Sequence, residues 1–257
     1  MNLLTPSRPR RVAVVLGAAN IAATVAGALA VAALFPHASE WTARLVVVLA
    51  LTTAVIAVLT GTRGWRTAGF RARVAQPGLL LLPAAVALAP LLGGVRLPNA
   101  GLLAMFVVGY AATGFFEEAL FRGLILGVLR PAGMWPAVWL SSALFAAAHL
   151  PNMLFGQTPA ITVAQAVGTF CFGVGYAALR LRTGSVWPLM VLHFLTDLLL
   201  RIDALPGWAH WAVMVGGDTL LLVYGLVLLR RNGQAADEDT AAVPGHGSGS
   251  PALPASA

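Results

Sequence analysis

Eight runs of roughly twenty apolar residues follow one another along this chain, cut apart by arginine, proline and glycine. Twenty residues at 1.5 Å each make about 30 Å of helix, the thickness of a bilayer's hydrocarbon core. The sequence therefore predicts an all-α, polytopic membrane protein with about eight transmembrane helices, at 12–35, 43–60, 78–95, 99–129, 134–150, 160–179, 185–201 and 208–229. The fourth run is too long for one crossing. It is expected to start as an interfacial or tilted stretch and to cross from Thr113 to Leu129. Composition excludes the soluble alternative: 59% of the 257 residues are hydrophobic and 10% are charged, against roughly 45–50% and 25% in soluble domains.

The net charge of +7 comes from sixteen arginines and no lysine. Their positions, in short clusters between apolar runs, report topology and not a nucleic-acid partner. Twelve of them, from Arg8 to Arg231, fall at the run ends of one side, and three, Arg44, Arg96 and Arg201, on the other. The positive-inside rule then predicts a multi-pass protein of the cell membrane with both termini cytoplasmic. Residues 1–11 form the cytoplasmic N-terminus. The first apolar run exceeds the 7–15 residues of a signal peptide's core, so it reads as a retained anchor. Residues 12–232 form the bundle, and 233–257, rich in Gly, Ala, Pro and Ser around Asp237-Glu238-Asp239, read as a disordered tail. Tryptophans at run starts, Trp41, Trp135, Trp187, Trp208 and Trp211, suit an interfacial belt. The single Cys171 forms no intrachain disulfide and reads as a packing residue.

A charge at the bilayer centre costs at least ~2.5–3.5 kcal/mol, so ionisable residues deep in apolar runs need a reason. Glu117, Glu118, Arg122, His149, His193 and Asp197 lie there. Glu118 and Arg122 are i and i+4 on one helix face, the favourable order for an ion pair. Glu117 points about a quarter-turn away and has no such local partner. Two adjacent carboxylates in a poorly hydrated site compete to hold charge, the setting in which one serves as general base or acid. A purely structural ion pair would account for Glu118 and Arg122 but not for Glu117. His149 follows Phe145-Ala146-Ala147-Ala148, and His193 and Asp197 again share one face at i, i+4. That pair is either a structural hydrogen bond or two ligands or two polar groups offered to a shared cavity. Counted from the arginine-rich side, Glu117, His149, His193 and Asp197 lie ~16–22 Å along their helices, one layer for all four. Gly123 and Gly127, and Ala164, Gly168 and Gly175, read as small-residue packing faces.

The order Glu-Glu-xxx-Arg, Phe-xxx-His, His-xxx-Asp on successive membrane helices resembles the CPBP family, which contains the type II CAAX prenyl endopeptidases and their bacterial relatives. The likeness covers about Thr113 to Asp197 within a catalytic core at 113–200. It implies an eight-helix intramembrane protease in which Glu117 activates water, assisted by His149, with Glu118 and Arg122 positioning Glu117. His193 and Asp197 match a third motif that ends in Asn in most prenyl-protein proteases and in Asn or Asp in bacterial members. An Asn donates to an oxyanion, whereas an ionised Asp repels it and is a good metal ligand. Two mechanisms therefore stay open: a metal-free glutamate site, and a zinc site of Glu117, His149, His193 and Asp197. The implied substrate is a membrane-associated or prenylated peptide or protein. The rivals are a proton- or ion-coupled transporter, for which no second copy of the Glu-Glu helix is found, and a catalytically idle scaffold.

Overall fold

The structure, a computed structural model, describes residues 6–241, with side chains as far as Arg231. Its rods start and stop where the chain's punctuation dictates. Ser39, Asn99 and Thr158 each accept a hydrogen bond from the backbone N–H three residues on, capping α2 (Glu40–Gly61), α4 (Ala100–Glu117) and α7 (Pro159–Thr183). Pro9 opens α1 (Pro9–Leu34), and Gly184, at φ 74°, closes α7. Among the described residues the eight runs are helical, and six of these helices are long and apolar enough to cross a membrane. The third run is shorter: α3 (Leu81–Leu88) is flanked by 3-10 turns at Pro77–Leu80 and Ala89–Gly93, where Pro77 and Pro90 break the α pattern. The seventh, α8 (Trp187–Ile202), has 16 residues, about 24 Å.

One expectation is narrowed and one needs correction. Of the two starts open for the fourth run, the continuous rod agrees with a tilted stretch: α4, a π-helical stretch (Glu118–Ile125) and α5 (Leu126–Leu129) make one rod, part of an unbroken helical span Ala100–Ala132 of 33 residues. Nothing between Ala100 and Thr113 breaks a helix, and a rod longer than the bilayer is thick fits by tilting. The final helix, α9 (Gly207–Ala241), runs past the expected start of the tail at 233. Residues 242–257 of that tail, like 1–5 of the N-terminus, lie outside the described residues.

The rod from α4 to α5 is the spine of the bundle. Every residue from Glu118 to Ile125 is buried, and Phe121, Leu124, Ile125 and Leu129 sit in the main apolar core with Phe145, Tyr176 and Leu189. In the π-helical stretch the Leu126 N–H reaches back five residues to the Phe121 carbonyl, which also accepts the Ser141 hydroxyl of α6 (Met134–Ala147) at 3.0 Å. Such a widened turn shifts the side chains that follow it relative to those before, and is frequent at functional sites.

Close helix approach is set by glycine. A Cβ on Gly114 would stand 2.9 Å from the Met190 carbonyl oxygen of α8, so only glycine lets α4 and α8 touch backbone to backbone one turn from Glu117 and His193. Gly175 and Gly225 do the same for α7 and α9, with Gly175 Cα 2.9 Å from the place of a Gly225 Cβ. Gly123 packs on Ala68 as a small-residue face should, but Gly127, expected to pair with it, faces open space. Replacing Gly114 with Val should force α4 from α8 and destabilise the protein by about 1–3 kcal/mol, while Gly127→Ala should leave the unfolding midpoint in detergent unchanged; thermal unfolding of both variants checks this.

Candidate active site

Three rods deliver the ionisable residues to one place. The α4 rod supplies Glu117, Glu118 and Arg122. Pro151 ends α6 just beyond it, so His149 stands where the α-helix gives way to the 3-10 turn Leu150–Phe155. The α8 rod supplies His193 and Asp197. All six residues named from the sequence come together.

Glu118 is the hub. Its Oε1 lies 3.0 Å from Arg122 Nη1 and 2.9 Å from His193 Nδ1, and its side chain is fully buried. A carboxylate only accepts, so His193 donates from Nδ1 and turns Nε2 towards the cavity. Nε2 then faces two more carboxylates, Glu117 Oε2 at 3.5 Å and Asp197 Oδ2 at 3.6 Å. On the opposite side of Glu117, Oε1 is 4.0 Å from His149 Nε2. His149 donates from Nδ1 to the Phe145 carbonyl at 2.9 Å, which fixes its tautomer and leaves Nε2 to face Glu117. The side-chain contacts of the Glu118 and Arg122 pair thus run to His193, with no ion pair or hydrogen bond to Glu117 among the described residues.

The sequence reading missed the aromatic walls. The Arg122 guanidinium stands 4.1 Å over the Phe145 ring and within 5.8 Å of Phe172 and Tyr176, and its two terminal nitrogens have no aligned hydrogen bond. The contact to Glu118 is thus ionic, reinforced by three ring faces. The same rings enclose His193, with Phe172 at 4.9 Å. The signal was in the spacing: Phe145 is i−4 from His149, and Phe172 and Tyr176 are i, i+4 on α7.

A cavity of about 820 Å³ opens from Glu117, His149, His193 and Asp197. Asp218 sits inside α9 and lines the cavity wall, its Oδ2 against Gly168. Cys171, read as packing, faces the same space. Trp211, read as part of the belt, lines it too, with His210 beside it. Helical periodicity signals which residues share a face but not which face looks into a void.

Among the described residues no group of three or more His, Cys, Asp or Glu side chains stands arranged to hold a metal ion. The 4.0 Å between Glu117 and His149 exceeds the about 3.3 Å between neighbouring ligands of tetrahedral zinc.

Residues 99–199 match the family model of the type II CAAX prenyl endopeptidases, Rce1-like. Through this segment, 101 of the 257 residues, the chain is similar to the CPBP family. No curated protein and no solved structure matches the chain. The matched segment runs from the cap of α4 into the last turn of α8 and includes all six ionisable residues of this membrane-helical protein. The α1, α2 and α9 helices, which complete the cavity with Arg44 and Asp218, lie outside it.

Removing Glu118 strands a buried guanidinium. Breaking a buried ion pair costs about 3–5 kcal/mol, so Glu118→Gln should lower the unfolding midpoint in detergent by roughly 10 °C, whereas Glu117→Gln, which takes away an acid with no hydrogen-bonded partner at Oε2, should not lower it.

Proposed function

We propose that the protein is an intramembrane endopeptidase that hydrolyses a peptide bond of a membrane-associated peptide or protein, with Glu117 and His149 activating the water. The observation that carries this is the pairing of two unlike carboxylates. Glu118 is fixed by Arg122 and His193 and has no freedom for chemistry, while Glu117, 14% exposed, borders the cavity between two histidines. The 4.0 Å from Glu117 to His149 is beyond a direct hydrogen bond, but one water molecule placed between them touches both.

In the proposed reaction Glu117 takes a proton from that water while His149 orients it, and the oxygen attacks the substrate carbonyl carbon. The carbonyl oxygen gains negative charge and is met by the Nε2–H of a protonated His193, whose ring cannot turn because Glu118 holds Nδ1. Asp197 does not donate to the oxyanion; its charge, 3.6 Å from His193 Nε2, favours the proton that His193 presents. Glu117 then passes its proton to the departing amine, and the products are a carboxylate and an amine. The sequence's zinc alternative receives no role in this scheme.

The same reading places the protein in the cell membrane with the arginine-rich loops in the cytoplasm. In the fold these loops lie together: Trp187 Nε1 donates to the Phe70 carbonyl, and Arg180 to the Thr67 and Gly184 carbonyls. Both termini are then cytoplasmic.

Cleavage of a membrane-delivered, quenched-fluorescence peptide library tests the reading. Glu117→Gln and His149→Phe should each reduce kcat at least about a thousandfold, and a chelator should leave the wild-type rate intact. Full activity in either variant would overturn the assignment, and chelator-sensitive cleavage with stoichiometric zinc would replace it with a metal mechanism.

A further inference from the structure

Among the described residues three acids line the cavity, and the proposed chemistry uses two of them. Glu117 and Asp197 stand 3.5 and 3.6 Å from His193 Nε2. The third, Asp218 of α9, has neither an ion pair nor a hydrogen bond among the described residues. The two arginines of the cavity do not answer it: Arg44 donates to the Phe155 carbonyl, and Arg44 and Arg201 both lie over the Trp41 ring.

Glycine makes the place for this acid. Asp218 Oδ2 stands against the position that a Cβ on Gly168 of α7 would take, so a larger residue at 168 would push the carboxylate away. Gly168, expected from the sequence to serve helix packing, thus leaves a niche in the cavity wall for a charged group. A carboxylate within a membrane span is costly without a partner. It stands in no group of three or more metal-ligating side chains, and alone it offers a metal ion too few oxygens. A single ammonium or guanidinium is the complement that one carboxylate meets directly, through charge-assisted hydrogen bonds.

Helix geometry sets how far that cation sits from the reacting atoms. Gly168 and Phe172 are i and i+4 on α7, about 6 Å apart along it, and the Phe172 ring packs on His193 at 4.9 Å. Asp218 also shares a small void with Phe172 and Thr196, on the His193 side of the cavity. The span from the niche to that layer is the reach of about two residues of extended peptide. Asp218 is outside the segment 99–199 that matches the family, so the family match assigns it nothing.

We infer that Asp218, in the niche opened by Gly168, forms a cation-binding subsite of the cavity, which selects substrates carrying a basic group about two residues from the bond to be cut. This rests on the peptidase reading for its reaction, but not for its binding step.

The test separates the two. An apolar peptide, acetylated and amidated, is made as a series in which one lysine moves along the chain residue by residue, beside a parent with norleucine throughout and the same parent with a free amino terminus. Each is bound to the Glu117→Gln protein in detergent and offered to the wild type for cleavage. Lysine at one position should tighten binding about tenfold over norleucine, and wild-type cleavage should place that position about two residues from the cut. A gain from the free amino terminus alone would keep the subsite and identify the chain terminus as its cation. The gain should fall below about twofold in Glu117→Gln/Asp218→Asn, which keeps the side chain's shape, and persist in Glu117→Gln/Glu40→Gln, which alters an exposed acid outside the cavity. No gain from any peptide, an equal gain from lysine at every position, or a gain that survives Asp218→Asn would overturn the subsite. The first two outcomes are read without the Asp218 variant, so the test holds even if that variant fails to fold. If the gain appears and disappears as stated while the wild type cleaves none of the peptides, the subsite stands and the peptidase reading falls.

Discussion

A guanidinium held in the middle of a bilayer must be answered by charge from its own protein, and here the answer is the fully buried Glu118. That one ion pair has consequences in every direction. Glu118 has a second partner in His193, so Arg122, Glu118 and His193 form a chain across the α4 rod and α8. Once His193 is fixed through Nδ1, its other nitrogen has a defined direction, and Glu117 and Asp197 are defined by their distances from it. The geometry of the reacting groups is thus inherited from a structural ion pair that never touches substrate. Burying such a pair is weak evidence for stability by itself; its value here is that it specifies one rotamer of one histidine.

Apolar packing makes the ion pair affordable. Phe145, Phe172 and Tyr176 surround Arg122 with ring faces in place of the hydrogen bonds its terminal nitrogens lack. Gly114 allows α8 to come within backbone contact of α4, without which the distance from Glu118 to His193 would open. The π-helical turn starting at Glu118 sets Arg122 back against α6 and α7 while Glu117, the last residue of the regular helix, keeps to the cavity side. Neighbouring carboxylates therefore meet different surroundings, one sealed and one open.

Most of the site could be read from the chain because each reading rested on a strong physical rule. Charges do not sit in hydrocarbon without cause, which singled out Glu117, Glu118, Arg122, His149, His193 and Asp197, and i, i+4 spacing paired Glu118 with Arg122. What was not legible was anything set by the angle between helices. Glu118 holding His193 in place of Glu117, Asp218 lining the cavity, the role of Gly114, and the loss of a packing partner for Gly127 all depend on which faces meet, and sequence periodicity is silent on that. The fourth run's length exceeded a bilayer, which left an interfacial and a tilted start open, and the backbone of a tilted continuous helix satisfies its own hydrogen bonds without a break.

In the proposed reaction Glu117 activates water and never itself attacks the substrate carbonyl carbon. Single-turnover cleavage of a membrane-delivered peptide in oxygen-18 water tests this directly, with mass spectrometry of both the product and the tryptic peptide containing Glu117. Attack by activated water puts one oxygen-18 atom into the new carboxyl terminus and none into the protein. A product without the label, together with oxygen-18 in the Glu117 side chain, would mean that the carboxylate attacks the carbonyl itself, and would contradict the account.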